Sequence, residues 1–162
     1  MAKKTREELL ADFENDLVRI DSMRLSISGH DEPLVYDRDM EDMPQRLHFI
    51  LPENSTYRLT LKYKVKKQPL RNLTYKQVVT KGGIPVKSKK WPIKELSDVN
   101  IHDEEEHHEV TFPEDDIPGG LMFRGTHPAT SVLYAEGQEV WKMDWLIEVV
   151  KKNRKPAKGG YD

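Results

Sequence analysis

Cysteine is absent from the 162 residues, which removes a disulfide framework, a thiolate zinc site and a cysteine nucleophile together. A reducing compartment suits such a chain. No stretch approaches the ~18 consecutive apolar residues of a membrane-spanning helix. The first residues, Met1-Ala2-Lys3-Lys4, run straight into charge with no apolar signal segment. The expected location is cytoplasmic, and Asn54-Ser55-Thr56 and Asn72-Leu73-Thr74 are read as chance matches to a glycosylation triplet. Also missing are a Gly-x-Ser-x-Gly elbow and a phosphate loop, since Lys81-Gly82-Gly83 is too short and wrongly placed to cradle a nucleotide. The expectation is therefore a protein that is not an enzyme and carries no cofactor. His107-His108 offers metal-ligand chemistry, but neighbouring side chains on a strand point to opposite faces, so no metal is expected. Nucleic acid is not expected as a partner either. Tyr63, Tyr75 and Trp91 are too poorly interleaved with the lysines between Lys62 and Lys94 to make a stacking track.

Charge, by contrast, is plentiful and almost balanced, with 26 Lys and Arg against 28 Asp and Glu. Its distribution carries more than its sum. Positive residues concentrate from Lys62 to Lys94 and negative ones from Asp103 to Asp116, which reads either as a polar interaction surface or as neighbouring loops neutralising each other.

Hydrophobic periodicity divides the chain. Thr5 with Glu8 forms a capping box, and Leu10, Phe13, Leu17 and Ile20 recur at spacings of three and four, predicting an amphipathic helix over residues 5–20. Its acidic face holds Glu7, Glu8, Asp12, Glu14 and Asp16, and its apolar stripe needs cover from its own domain or from a partner. From residue 22 the period becomes two. Met23, Leu25 and Ile27 alternate with polar residues, as do Tyr57, Leu59, Leu61, Tyr63 and Val65. Further strands are predicted at His48–Leu51, Tyr75–Thr80, Ile84–Lys87, Glu109–Phe112, Leu121–Thr126, Thr130–Tyr134 and Trp145–Val150, with Ser88–His108 read as a loop. Many short strands separated by Gly, Pro and Asn turns, with no helical pattern among them, argue for an all-β, antiparallel β-sandwich behind a short N-terminal amphipathic helix. The predicted organisation is a helical arm over 1–21, one sandwich domain over 22–153 and a basic tail over 154–162.

Four segments together carry a family resemblance. They are Phe49-Ile50-Leu51-Pro52-Glu53-Asn54-Ser55-Thr56-Tyr57-Arg58-Leu59; Leu73-Thr74-Tyr75-Lys76-Gln77 followed by Lys81-Gly82-Gly83-Ile84; Phe112-Pro113-Glu114-Asp115-Asp116-Ile117-Pro118-Gly119-Gly120-Leu121-Met122-Phe123-Arg124-Gly125-Thr126; and Met143-Asp144-Trp145-Leu146-Ile147-Glu148-Val149. Together they resemble the Rho GDP-dissociation inhibitor family over most of residues 22–153.

The resemblance implies an immunoglobulin-like sandwich whose sheets part to admit the farnesyl or geranylgeranyl tail of a GDP-bound Rho- or Rac-type GTPase. It further implies extraction of that GTPase from membranes, slowed GDP release, only indirect contact with the membrane itself and a monomer when alone. Position by position, the lipid-lining residues fall on Leu25, Phe49, Trp91, Ala129, Met143 and Trp145. Ala129 and Met143 are smaller and softer than the family's isoleucine and tryptophan. GTPase contacts fall on Glu7, Glu8, Phe13 and Leu17 in the arm and on Glu114, Asp115 and Asp116 beside the pocket, where acids meet a basic tail. Two features depart from the family: about twenty residues stand where a longer helix-loop-helix arm is usual, and the Gly-Ser-Tyr-Gly-Pro loop is replaced. The alternative is a sandwich that acts as an interaction module, or as a lipid-tail carrier with no effect on nucleotide exchange.

Overall fold

Alternation of buried and exposed positions organises the chain into two facing sheets. The computed structural model describes residues 3–93 and 107–152; the predicted tail over 154–162 and most of the predicted Ser88–His108 loop lie outside them. After helix α1 (Arg6–Asp12) come β1 (Val18–Ile27), β2 (Leu34–Asp37), β3 (His48–Pro52), β4 (Ser55–Val65), β5 (Leu73–Lys81), β6 (Ile84–Pro92), β7 (His107–Thr111), β8 (Asp115–Ile117), β9 (Gly125–Ala135) and β10 (Gln138–Val150). One sheet runs β2-β1-β4-β7 with β8 also paired to β4, and the other runs β3-β10-β9-β5-β6. The fold is the expected all-β sandwich of the immunoglobulin-like kind. One pair departs from the antiparallel rule, because β3 lies parallel to β10. The cause is Pro52-Glu53-Asn54, which passes the chain from β3 in one sheet to β4 in the other instead of closing a hairpin.

Strand β4 shows the pattern most cleanly. Tyr57, Leu59, Leu61, Tyr63 and Val65 are all at most 5% exposed, with Arg58 and Lys62 on the wet face. Opposite them, Phe49, Leu51, Tyr75, Leu133, Met143, Trp145, Ile147 and Val149 complete one apolar cluster. Burying a large side chain of this kind contributes roughly 1.5–3 kcal/mol, which is why alternation alone suffices to orient both sheets.

The helix is shorter than its periodicity predicts. The capping box forms, with Thr5 Oγ1 accepting from Glu8 N–H and Glu8 Oε1 from Thr5 N–H, both at 3.2 Å. The helix nevertheless ends at Asp12. Asn15 is the reason. Its Oδ1 accepts from the N–H groups of Leu17 and Val18, at 2.9 and 3.0 Å, and its amide donates to Val140 O at 2.7 Å. This local bonding competes with helical hydrogen bonds, and Ile20 N–H is taken by Phe13 O. Val18 and Ile20 therefore belong to β1, whose spacing had blended into that of the helix.

Strand limits differ from expectation elsewhere: β2 and β8 were not expected, and β9 and β10 begin earlier than the strands predicted from Thr130 and Trp145, at Gly125 and Gln138. Trp91 falls in β6, paired with Tyr75, and not in a loop. The predicted strand over Leu121–Thr126 is a turn as far as Arg124, because Pro118-Gly119-Gly120, with Gly120 at φ +89°, delays β9 until Gly125.

The helix closes one end of the sandwich. Phe13 is 1% exposed and stacks on Tyr36 at 3.7 Å between centroids, while the Trp141 indole N–H donates to Asp12 O at 2.9 Å. Phe13→Ala is expected to cost about 3–5 kcal/mol of stability, read as a lower denaturant midpoint. Glu7→Ala, on the exposed face, should stay within about 0.5 kcal/mol of the parent.

Candidate functional site

At the end of β10 remote from Trp141, a cleft opens between the sheets. Tyr57 and Ile117 line it from one sheet, and Leu51, Gln77, Val79, Ile147, Val149 and buried His127 from the other; Val86 and Phe123 stand at its mouth. Its enclosed volume is about 30 Å³, room for a water or two and about a tenth of the ~300 Å³ at which small-molecule sites usually begin.

Of the predicted lipid-lining residues, Phe49, Ala129, Met143 and Trp145 lie further along strand rows that also line the cleft. In β10, Met143 and Trp145 continue inward the line of Ile147 and Val149, and in β3 Phe49 continues that of Leu51. Each step of two residues is about 6.6 Å along a strand. Trp145 is registered opposite Ala129 and meets Phe49 edge-on at 5.5 Å between ring centroids. Leu25, Phe49, Ala129, Met143 and Trp145 are each at most 4% exposed, so side chains fill the space between the sheets at that depth. Trp91 is half-buried and stacks with Phe112 at 5.2 Å and Tyr75 at 6.1 Å, against the edge of the same cluster.

A file of hydrogen bonds links Trp145 to the wall of the cleft. The Trp145 indole N–H donates to Ser131 Oγ (2.9 Å), Ser131 Oγ lies 2.7 Å from Tyr75 Oη, and Tyr75 donates to Gln77 Oε1 (2.8 Å). The Gln77 amide then donates to Tyr57 Oη (2.9 Å), and Tyr57 donates to Asp115 Oδ2 (3.1 Å). One hydroxyl carries one hydrogen, so with Tyr75 donating to Gln77 the Ser131 hydroxyl donates to Tyr75 and every link points the same way. Burial, with the Asp115 carboxylate beside it, pushes the Tyr57 hydroxyl well above its ordinary pKa. It therefore stays a donor. One signal of this file is present in the sequence, since Gln77 occupies the buried phase of Leu73, Tyr75, Gln77 and Val79.

The predicted acidic contacts divide. Asp115 is 5% exposed and is met by Lys87 Nζ at 3.0 Å as well as by Tyr57, so it is engaged within the chain. Glu114 and Asp116 face solvent on the rim, Glu114 with Arg58 at 3.9 Å. Glu7 and Glu8 are exposed on α1, Leu17 is partly buried and Phe13 is covered. The arm residues thus lie toward the Trp141 end of the molecule, away from Glu114 and Asp116 at the cleft.

A second ion pair shapes the mouth. Buried Glu53 receives both Arg124 Nε and Nη2 at 2.8 Å and the Gly120 N–H at 3.0 Å, pinning the turn that carries Pro118 and Phe123. A Cβ at Gly119 would lie 2.5 Å from Asn54 Oδ1, so the Asn54 side chain would have to move to admit one. The paired guanidinium, then the Gly120 N–H, holds the Glu53 carboxyl down at about 2.

Fold and cleft together define a class: small β-sandwich proteins with an apolar cleft between their sheets at one end. A family model described as RHO protein GDP dissociation inhibitor matches residues 2–152, and the chain belongs to that family. The Rho GDP-dissociation inhibitor of Saccharomyces cerevisiae is 25% identical over 139 residues, spanning 83% of this chain and 68% of that one. A Niemann-Pick type C2 protein from Japanese carpenter ant shares the fold, with a TM-score of 0.51 and 10% identity over 86% of this chain and 97% of its own.

Because the folded carboxyl of Glu53 titrates below its ordinary value of 4.5, its stabilisation is complete above that value and is lost as pH falls toward about 2. Stability of the parent should therefore drop more steeply across that window than stability of Glu53→Gln, as followed by denaturant titration at several pH values. Parallel pH profiles would show that the pair contributes nothing.

Proposed function

We propose that this chain sequesters the isoprenoid of a GDP-bound Rho- or Rac-type GTPase, withdrawing it from membranes and slowing GDP release. The observation that carries the reading is the alignment of the cleft with the deeper row, in a chain of this family: Val149 and Ile147 lead inward to Trp145 and Met143. The isoprenoid enters past Phe123 and Val86, the Tyr57–Gln77 bond yields, and Phe49, Trp145, Leu25 and Met143 repack around it, with Ala129 leaving room and Trp91 closing the edge. Each buried methylene contributes ~0.8 kcal/mol, but the bilayer supplies a similar amount. Protein contacts then decide the partition. Glu114 and Asp116 meet the basic segment beside the lipid, with Asp115 holding the turn beneath them; Glu7, Glu8 and Leu17 contact the GTPase from the arm, supported by Phe13. On this reading the protein is a monomeric, cytoplasmic binding protein without chemistry of its own.

A second reading, a sandwich that binds proteins with its core closed, is favoured by the small enclosed volume of about 30 Å³. The two separate in one comparison. Sequestration requires much tighter binding of prenylated than of unprenylated GTPase, and a closed module requires none. Trp145→Ala and Phe49→Ala should lower extraction of prenylated GTPase from vesicles at least about tenfold while each domain, weakened by about 3–5 kcal/mol, remains folded by circular dichroism. Full extraction by both variants would assign the function to another surface. Glu7→Lys should weaken the slowing of GDP release without altering affinity for a prenylated peptide.

A further inference from the structure

Four large apolar side chains stand exposed among the described residues: Leu121 (87%), Met122 (68%), Ile84 (68%) and Val86 (36%). They form one patch. Lys81 Nζ donates to Met122 O at 2.9 Å, Ile84 is registered opposite Lys81, and Val86 faces Phe123 across the cleft. Two glycine turns, Gly82-Gly83 and Gly119-Gly120, carry the patch outward as a pair of tips. Cations surround it. Lys81 belongs to one tip, and Lys152 donates to Asn54 O at 3.0 Å, where Asn54 packs on Gly119. Lys151 is close enough to Glu53 for its charge to help lower that carboxyl. The solvent-facing acids Glu114 and Asp116 lie across the mouth, beyond Lys87, whose ammonium bonds Asp116 O.

Lysine is disfavoured at protein-binding patches. Protruding apolar residues with lysines beside them suit the boundary between acyl chains and anionic headgroups.

We propose that the two tips are a lipid-docking surface: Leu121, Met122, Ile84 and Val86 enter the interface of an anionic bilayer while Lys81, Lys151 and Lys152 engage its phosphates. This replaces the indirect membrane contact implied by the family resemblance. Its purpose rests on the isoprenoid reading, because it holds the cleft mouth against the surface from which a prenyl chain must emerge. The docking itself needs no GTPase. A division of the rim follows, with the apolar and cationic side toward lipid and Glu114 and Asp116 free for the partner's basic segment.

The test is co-sedimentation of the full chain with phosphatidylcholine vesicles, with and without phosphatidylserine. The parent should bind the phosphatidylserine vesicles and release with rising salt. Leu121→Ser combined with Met122→Ser should lower partitioning at least about tenfold, and Ile84→Ser should lower it from the other tip. Lys151→Gln with Lys152→Gln should weaken binding only where phosphatidylserine is present. Failure of the parent to sediment, or apolar variants that sediment like it, would overturn the proposal. So would variants that lose lipid-free GTPase binding while keeping vesicle binding, which would make the patch a protein contact. Prenylated-peptide titration of the same samples keeps the questions apart: loss there with vesicle binding intact refutes the slot and leaves docking standing.

Discussion

A file of hydrogen bonds from Asp115 through Tyr57, Gln77, Tyr75 and Ser131 to Trp145 joins the two sheets across an otherwise apolar interior. Tyr57 comes from one sheet and Gln77 from the other, so this file sets how far apart the sheets stand at the depth where the cleft stops. Each buried polar group left unpaired would cost about 1–3 kcal/mol. Any ligand that reaches Phe49 and Trp145 must therefore exceed that cost as well as displace the side chains. The one-way ordering of donors lets each hydroxyl in the file both accept and donate, and hydrogen bonds in such a chain polarise one another.

The two ends of the sandwich are closed by different physics. At one end Leu9 of α1 and Phe13 just beyond it cover the core, an apolar seal backed by the Trp141 bond to Asp12 O. At the other, charge organises the mouth: Glu53 with Arg124 holds one turn, and Asp115 with Lys87 ties β8 to β6. Apolar contact seals. Ion pairs at the mouth hold their turns in place beside the cleft.

Much of the molecule was legible in its residue order. Alternation in β1 and β4 placed both faces correctly, and the four family segments identified the relationship that the match over residues 2–152 establishes. The helix over-ran because Leu17, Val18 and Ile20 satisfy a helical and a strand spacing equally over so few residues; the competing hydrogen bonds of Asn15 reach Val140, 125 residues away. The loop expected at Trp91 gives way to strand for a related reason. The exposed β6 pattern carries no buried phase, and only pairing with β5 makes it a strand.

What the amino-acid order determined by itself was whatever a local period can encode: which residues face inward, where turns fall, and which family patterns recur. Tertiary structure alone decided that Asp115 turns inward to Tyr57 while Glu114 and Asp116 stay out, that Phe13 is covered by Tyr36 and Trp141, and that Leu121 and Ile84 share one exposed patch. These are meetings between strands far apart in sequence. Local periodicity has no means of expressing them, because the energy of each resides in a pair of residues and not in either one.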